Sequence, residues 1–138
     1  MVSEHHLRRR VQFYETDMAG LVHFTWFFRY MEEAEHALWR AAGLSIAEQG
    51  SHVGWPRVSA SFEFYSPLRF EDEFDVHLRI TAMTAGRIHY RCVLWKGETR
   101  IAEGALEIAC VRRNADGTIS AREIPPEVRA ALSAAEEL

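Results

Sequence analysis

From Trp26 to Ala42 the apolar residues recur with the period of a helix. Phe27, Tyr30, Met31, Ala34, Leu38 and Ala41 fall on one stripe, while Arg29, Glu33, His36 and Arg40 fall on the other side. Thr25 stands where an N-cap belongs and Gly43 where a C-cap belongs. The predicted helix has roughly four to five turns at ~3.6 residues per turn. Its apolar stripe is wide enough to make it the main core element.

Further on, the period becomes two. Val58, Ala60, Phe62 and Phe64 alternate with Ser59, Ser61, Glu63 and Tyr65, and Ser66-Pro67 ends the run. Phe74, Val76, Leu78 and Ile80 alternate with Asp75, His77, Arg79 and Thr81. After the turn Ala85-Gly86-Arg87, Ile88, Tyr90, Cys92 and Leu94 alternate with His89, Arg91, Val93 and Trp95. Lys96-Gly97-Glu98 is a tight turn, and a last long strand is predicted from Ile101 to Arg113, closed by Asn114-Ala115-Asp116-Gly117. Leu7 to Phe13 reads as a short first strand. Residues 44 to 57 read as irregular, and a short terminal helix is predicted from Glu127 to Glu137 after Pro125-Pro126.

The order is strand, long helix, then four strands on short turns. Short turns require antiparallel neighbours, so the expected plan is α+β: one long helix against a curved antiparallel sheet. One helix covers one sheet face, yet Tyr65, Val93 and Trp95 put large residues on both. A homo-oligomer is the expected remedy. There is no repeat, low-complexity tract or linker, so residues 1–138 read as a single domain.

Composition narrows the class. With 138 residues, 48% hydrophobic and 26% charged, the chain can bury a sizeable core. A net charge of −4 argues against nucleic acid as the main partner, because phosphate neutralisation needs a basic face. No run approaches the ~18 apolar residues of a membrane span. The polar N-terminal stretch lacks an apolar h-region, which predicts no secretory signal and cytoplasmic residence. Cys92 and Cys110 lie in strand patterns and read as free buried thiols. The seven histidines are scattered, and His5-His6 are adjacent without evident partners, so no metal is expected.

The candidate chemistry lies between Tyr14 and Phe24. Asp17 stands three residues before Gly20 and shortly before the predicted helix. Helix N-terminal N–H groups favour a nearby negative charge and can also polarise a carbonyl oxygen. Two readings of Asp17 follow from the residues alone. It either caps a turn before a glycine or serves as the anionic base or nucleophile of an acyl-transfer site. Glu32 lies near the apolar stripe, and Glu71-Asp72-Glu73 reads as a solvated turn.

The run Phe13-Tyr14-Glu15-Thr16-Asp17-Met18-Ala19-Gly20-Leu21-Val22-His23-Phe24 resembles the signature of acyl-CoA thioesterases of the 4-hydroxybenzoyl-CoA thioesterase family. Tyr30-Met31-Glu32-Glu33-Ala34 and Tyr65-Ser66-Pro67-Leu68 with Glu71-Asp72-Glu73 extend the match, which covers roughly residues 7 to 113. The resemblance implies a hotdog fold, a curved antiparallel sheet wrapped around one long central helix. It implies a homodimer, or a dimer-of-dimers tetramer, with sites at the subunit interface. It implies hydrolysis of an acyl-CoA thioester, with Asp17 as nucleophile or general base. No cofactor, metal, membrane or nucleic acid takes part.

Carried onto this chain, the oxyanion donor is the Phe24 N–H, with Gly20 and His23 beside it. His23-Phe24 stands where a common branch of the family has Tyr-His. Trp26, Phe27, Ser59 and Ser61 are candidates for the acyl pocket. Arg57 and Arg87 are candidates for the phosphates of coenzyme A, together with Arg69 and Arg91. The alternatives within the fold are an acyl-thioester hydratase or dehydratase, which needs a paired His and acid, and a non-catalytic acyl-CoA binding protein. The acyl group, and coenzyme A against an acyl-carrier protein, stay open.

Overall fold

The long helix forms where the apolar stripe demands it. In a computed structural model, which describes residues 1–136, helix α1 spans Thr25–Ala41. Phe27, Tyr30, Met31, Ala34 and Leu38 are buried as expected, and Ala37, Trp39 and Glu35 are buried with them. Ala41 is exposed instead. Thr25 is not the cap. Phe24 takes that position with helical dihedrals and no side-chain cap, and Thr25 begins the helix. At the other end Ala42 is the cap, and Gly43 follows with φ +78°. Only glycine enters that left-handed conformation without a Cβ penalty. The turn is closed by Leu44 N–H donating to the Trp39 carbonyl at 2.9 Å.

Five antiparallel strands embrace α1. They are β1 (Glu4–Arg10), β3 (Arg57–Phe64), β4 (Glu73–Met83), β5 (Arg87–Lys96) and β6 (Thr99–Ala109), in the spatial order β1-β4-β5-β6-β3. A small second sheet joins β2 (Val53–Gly54), β7 (Val111–Arg113) and β8 (Ile119–Ala121). A short helix α2 covers Pro126–Ala131. Among the described residues no helix is long and apolar enough to cross a membrane.

Three expected boundaries move, each for a tertiary or capping reason. The first strand occupies Glu4–Arg10 rather than 7–13, because Phe13–Glu15 turn into a 3-10 helix whose Glu15 side chain accepts the Gln12 N–H at 2.9 Å. The last long strand divides at Cys110. Its N–H donates to the Gly86 carbonyl, and Val111 then pairs with β2 and β8. Helix α2 stops at Ala131 because the chain turns to pair with the sheet: Leu132 bridges Val2, and Ala135 N–H reaches the Ile80 carbonyl at 2.7 Å. The Glu137 expected to end that helix lies outside the described residues.

The core sits between α1 and the inner sheet face, where Phe74, Val76, Leu78 and Ile80 of β4 meet Ile88, Tyr90, Cys92 and Leu94 of β5. Both cysteines are free and buried, and burial pushes the Cys92 thiol up to about 12. The outer face is more polar than expected. Ion pairs Arg8–Asp75, Arg87–Glu107 and Arg91–Glu103 cross it, and Val93 and Trp95 are only partly exposed. Large apolar surface is left instead along β3 and just past it, at Val58 (45% exposed), Phe64 (49%) and Tyr65 (45%). β3 is also an edge strand, with one row of backbone groups unpaired within the sheet.

Candidate active site

Residues 11 to 24 form a loop stitched to the core at several points. Val11 N–H donates to the Asp72 carbonyl, Val22 N–H to the Leu68 carbonyl, and His23 N–H to the Glu15 carbonyl. Between these anchors the chain makes a tight turn at Asp17. Gly20, with φ +80°, completes it by donating its N–H to the Asp17 carbonyl at 3.0 Å. Asp17 Oδ1 accepts the N–H groups of Ala19 at 2.8 Å and Leu21 at 3.2 Å. The turn-capping reading of Asp17 holds in the structure. One oxygen caps the turn and orients the carboxylate. The other oxygen, Oδ2, has no hydrogen-bond partner among the described residues.

Asp17 lines an open cavity of about 380 Å³, together with Leu21, Phe24, Phe27, Phe64 and Tyr65 among others. The lining is mainly apolar, and four of its ten residues are aromatic. Phe27 is held edge-on by Phe64, with ring centroids 5.0 Å apart, and by Phe62 at 5.9 Å. Arg100 stacks over the Tyr65 ring at 3.9 Å. Phe24, at the N-terminus of α1, brings the helix start to the same cavity as Asp17. Its N–H donates to no group among the described residues. A carboxylate, an unused helix-terminal N–H and an aromatic wall thus border one space. That is the equipment to attack a carbonyl and to hold the oxygen on which charge develops.

Several expected site residues lie elsewhere. His23 turns its Nδ1 to Thr25, 2.8 Å from the hydroxyl, and accepts the Thr25 N–H at 3.3 Å. It thereby holds the first residue of the helix, Thr25, which the sequence had suggested as the cap. Gly20 serves the Asp17 turn and does not line the cavity. Trp26 packs against Tyr14 and Tyr30. Ser59 and Ser61 alternate with the residues of β3 that face α1, so they sit on the opposite face, away from the cavity.

Arg57 and Arg87 are likewise engaged outside the cavity. Arg57 binds Glu35 at 2.5 Å and Glu32 at 3.2 Å. Arg87 binds Glu107 at 2.8 Å. Asp72 and Glu73 are held in place rather than merely solvated: Lys96 binds Asp72, and Arg8 and Arg10 bind Glu73.

Two buried acids escaped the sequence reading. Glu15 is fully buried. One of its oxygens accepts from Tyr30 OH at 2.8 Å and from the Gln12 N–H, and the other pairs with Arg9 at 2.6 Å. Burial and this carboxylate push the Tyr30 hydroxyl well above its usual range. Glu35, rather than Glu32, is the acid inside the core. Burial raises its carboxyl while Arg57 opposes the rise. A spacing signal existed for Glu35, which lies four residues after Met31 and three before Leu38, on the apolar stripe itself. For Glu15 the only signal was its spacing of three from Gln12.

A long helix wrapped by a five-stranded antiparallel sheet is a hotdog fold, and its relatives and structural neighbours make it a thioester hydrolase. The chain belongs to the thioesterase-like superfamily, which matches residues 11–132. Among its relatives is a putative esterase of Aquifex aeolicus, 34% identical over 99 residues and covering 70% of this chain and 76% of the relative. Another is a 1,4-dihydroxy-2-naphthoyl-CoA hydrolase of Prochlorococcus marinus, 25% identical over 111 residues and covering 74% of each. Among solved structures, gentisyl-coenzyme A thioesterase BH1999 superposes with a TM-score of 0.80 at 26% identity, over 90% of this chain and 98% of that one.

Proposed function

We propose that this protein hydrolyses acyl-CoA thioesters to free acid and coenzyme A, with Asp17 as nucleophile or general base. One observation carries the reading. The Asp17 carboxylate is fixed by two backbone N–H groups through Oδ1, while Oδ2 stays free beside an aromatic cavity that also contains the helix start. In the reaction the thioester carbon sits against Oδ2 and its oxygen turns toward the Phe24 N–H. Negative charge that builds on that oxygen is stabilised by the N–H and by the positive end of the α1 dipole. Oδ2 either attacks the carbon, giving a mixed anhydride that water cleaves, or takes a proton from the attacking water. The thiolate leaves without needing an acid, which agrees with His23 being engaged by Thr25.

The aromatic lining favours a flat acyl group. The names of the Prochlorococcus relative and of BH1999, both of which carry aromatic acyl groups, support that preference. A homodimer fits the same reading. The unpaired edge of β3 and the apolar side chains at its ends offer a self-complementary surface, and pairing two such edges would bring Phe64 and Tyr65, hence the cavity, to the interface.

The test is release of coenzyme A from a panel of aliphatic and aromatic acyl-CoAs. The wild type is expected to turn over at least one aromatic ester, and Asp17→Asn to lose at least ~10²-fold. An inert panel, with saturable binding of the same esters, would leave a binding protein. Undiminished activity in the variant would remove Asp17 from the mechanism. The hydratase alternative has no support in this site, because among the described residues no carboxylate pairs with the His23 ring.

A further inference from the structure

On the outer face of the sheet, away from the Asp17 cavity, three metal-ligating side chains converge. His6 of β1 stands directly across from His77 of β4 in the antiparallel register. Glu4 precedes His6 by two positions and therefore shares its face. The two imidazoles stack with centroids 4.0 Å apart and planes within 10°. Both Nε2 atoms lie near the same carboxylate oxygen. Glu4 Oε1 lies 3.7 Å from His6 Nε2 and 3.4 Å from His77 Nε2. All three ligand atoms lie within 4.8 Å of one another.

The spacing has a chemical meaning. A tetrahedral zinc ion with bonds of ~2.0–2.2 Å holds its ligand atoms roughly 3.4 Å apart. Two imidazoles and a carboxylate are also a donor set suited to zinc. The atoms are not otherwise committed. His77 Nε2 is buried without a hydrogen-bond partner, because its approach to Glu4 lacks hydrogen-bond geometry. Glu4 has no arginine or lysine within ion-pair distance among the described residues. Arg79, directly across from Glu4, turns its guanidinium to the Glu136 carbonyl at 3.3 Å, and Arg8 is taken by Glu73 and Asp75.

We propose that Glu4, His6 and His77 form a surface site for one divalent transition-metal ion of the zinc type, with a fourth position open to water. The ion clamps the terminal edge strand β1 to β4. Because the unfolded chain does not hold these residues together, binding adds to the stability of the folded state.

The test uses the full chain, stripped with a chelator and titrated with zinc chloride in a calorimeter. A parallel titration with cobalt chloride is followed by visible absorption. One ion per chain is expected, with a tetrahedral cobalt spectrum and a melting temperature that rises with zinc. His6→Gln and His77→Gln should each weaken binding at least ~10-fold. Their metal-free melting temperatures and thioester hydrolysis should stay near wild type, since neither residue touches the cavity. Absence of binding at millimolar zinc would overturn the proposal. So would binding that survives both substitutions, which would place the ion elsewhere. Half an ion per chain with a doubled mass would mean an intermolecular bridge instead, and would also refute it.

Discussion

Glu15 and Asp17 lie on one loop with a single residue between them, and their surroundings are opposite. Glu15 is sealed from solvent, with one oxygen on Tyr30 and Gln12 and the other on Arg9. Asp17 is exposed, with one oxygen bonded and the other free. The first carboxylate ties the loop to β1 through Arg9 and to α1 through Tyr30. The second keeps capacity in reserve because the first has fixed the loop. Ligand-binding loops tend to be locally weak, and here a buried acid next to the exposed one counteracts that tendency.

This contrast can be broken in order of expected effect. Glu15→Ala leaves the buried Tyr30 phenol without its acceptor and leaves Arg9 with Glu33 alone, and chemical denaturation should show a loss of ~3–5 kcal/mol, the usual cost of breaking a buried pair. Asp17→Asn is the converse. Asparagine keeps an acceptor for the Ala19 and Leu21 N–H groups, so stability should hold, while kcat/KM falls at least ~10²-fold, about 2.7 kcal/mol in barrier height. If Asp17→Asn unfolds the protein, or Glu15→Ala leaves it as stable as before, the division of labour is wrong.

Arg57→Ala sharpens the comparison with the third acid, Glu35. Because Arg57 is partly exposed, water replaces some of the lost interaction, and the expected cost is ~1–3 kcal/mol near neutral pH. Burial already holds the Glu35 carboxyl above its ordinary 4.5, and removing the arginine raises it further. A folded state that binds the proton more tightly than the unfolded one is favoured below the unfolded value and loses that advantage as pH rises through the folded value. The deficit of Arg57→Ala should therefore shrink between about pH 7.5 and about pH 5, as measured by denaturation at both. A deficit that grows on acidification would mean that Glu35 is not the titrating partner. A change of similar size is Tyr30→Phe, which removes one hydrogen bond to a charged acceptor. It should cost ~1.5–3 kcal/mol at most and leave the hydrolysis rate near wild type.

The helix and the middle strands were readable because their signals are local. The stripe from Phe27 to Leu38 located α1 to within a residue at each end, and the alternation from Phe74 to Leu94 located β4 and β5. Asp17 and Phe24, named from a short motif, do border one cavity. The errors came where a residue's role depends on a distant partner. Arg57 and Arg87 looked available for phosphate, yet each already has an acid at hand, Glu35 and Glu107. Ser59 and Ser61 were placed on the correct strand and the wrong side of the site. His6 had no visible partner until β1 and β4 came into register and put His77 opposite it.

Periodicity and turn chemistry are properties of a few consecutive residues, so the long helix, the middle strands and their antiparallel plan were already written in the amino-acid string. Register, burial and charge pairing belong to residues tens of positions apart. Glu35 meeting Arg57, Cys110 breaking a strand and two histidines facing each other follow from how the sheet closes around the helix, because long-range contacts set those energies and no short window of sequence contains both partners.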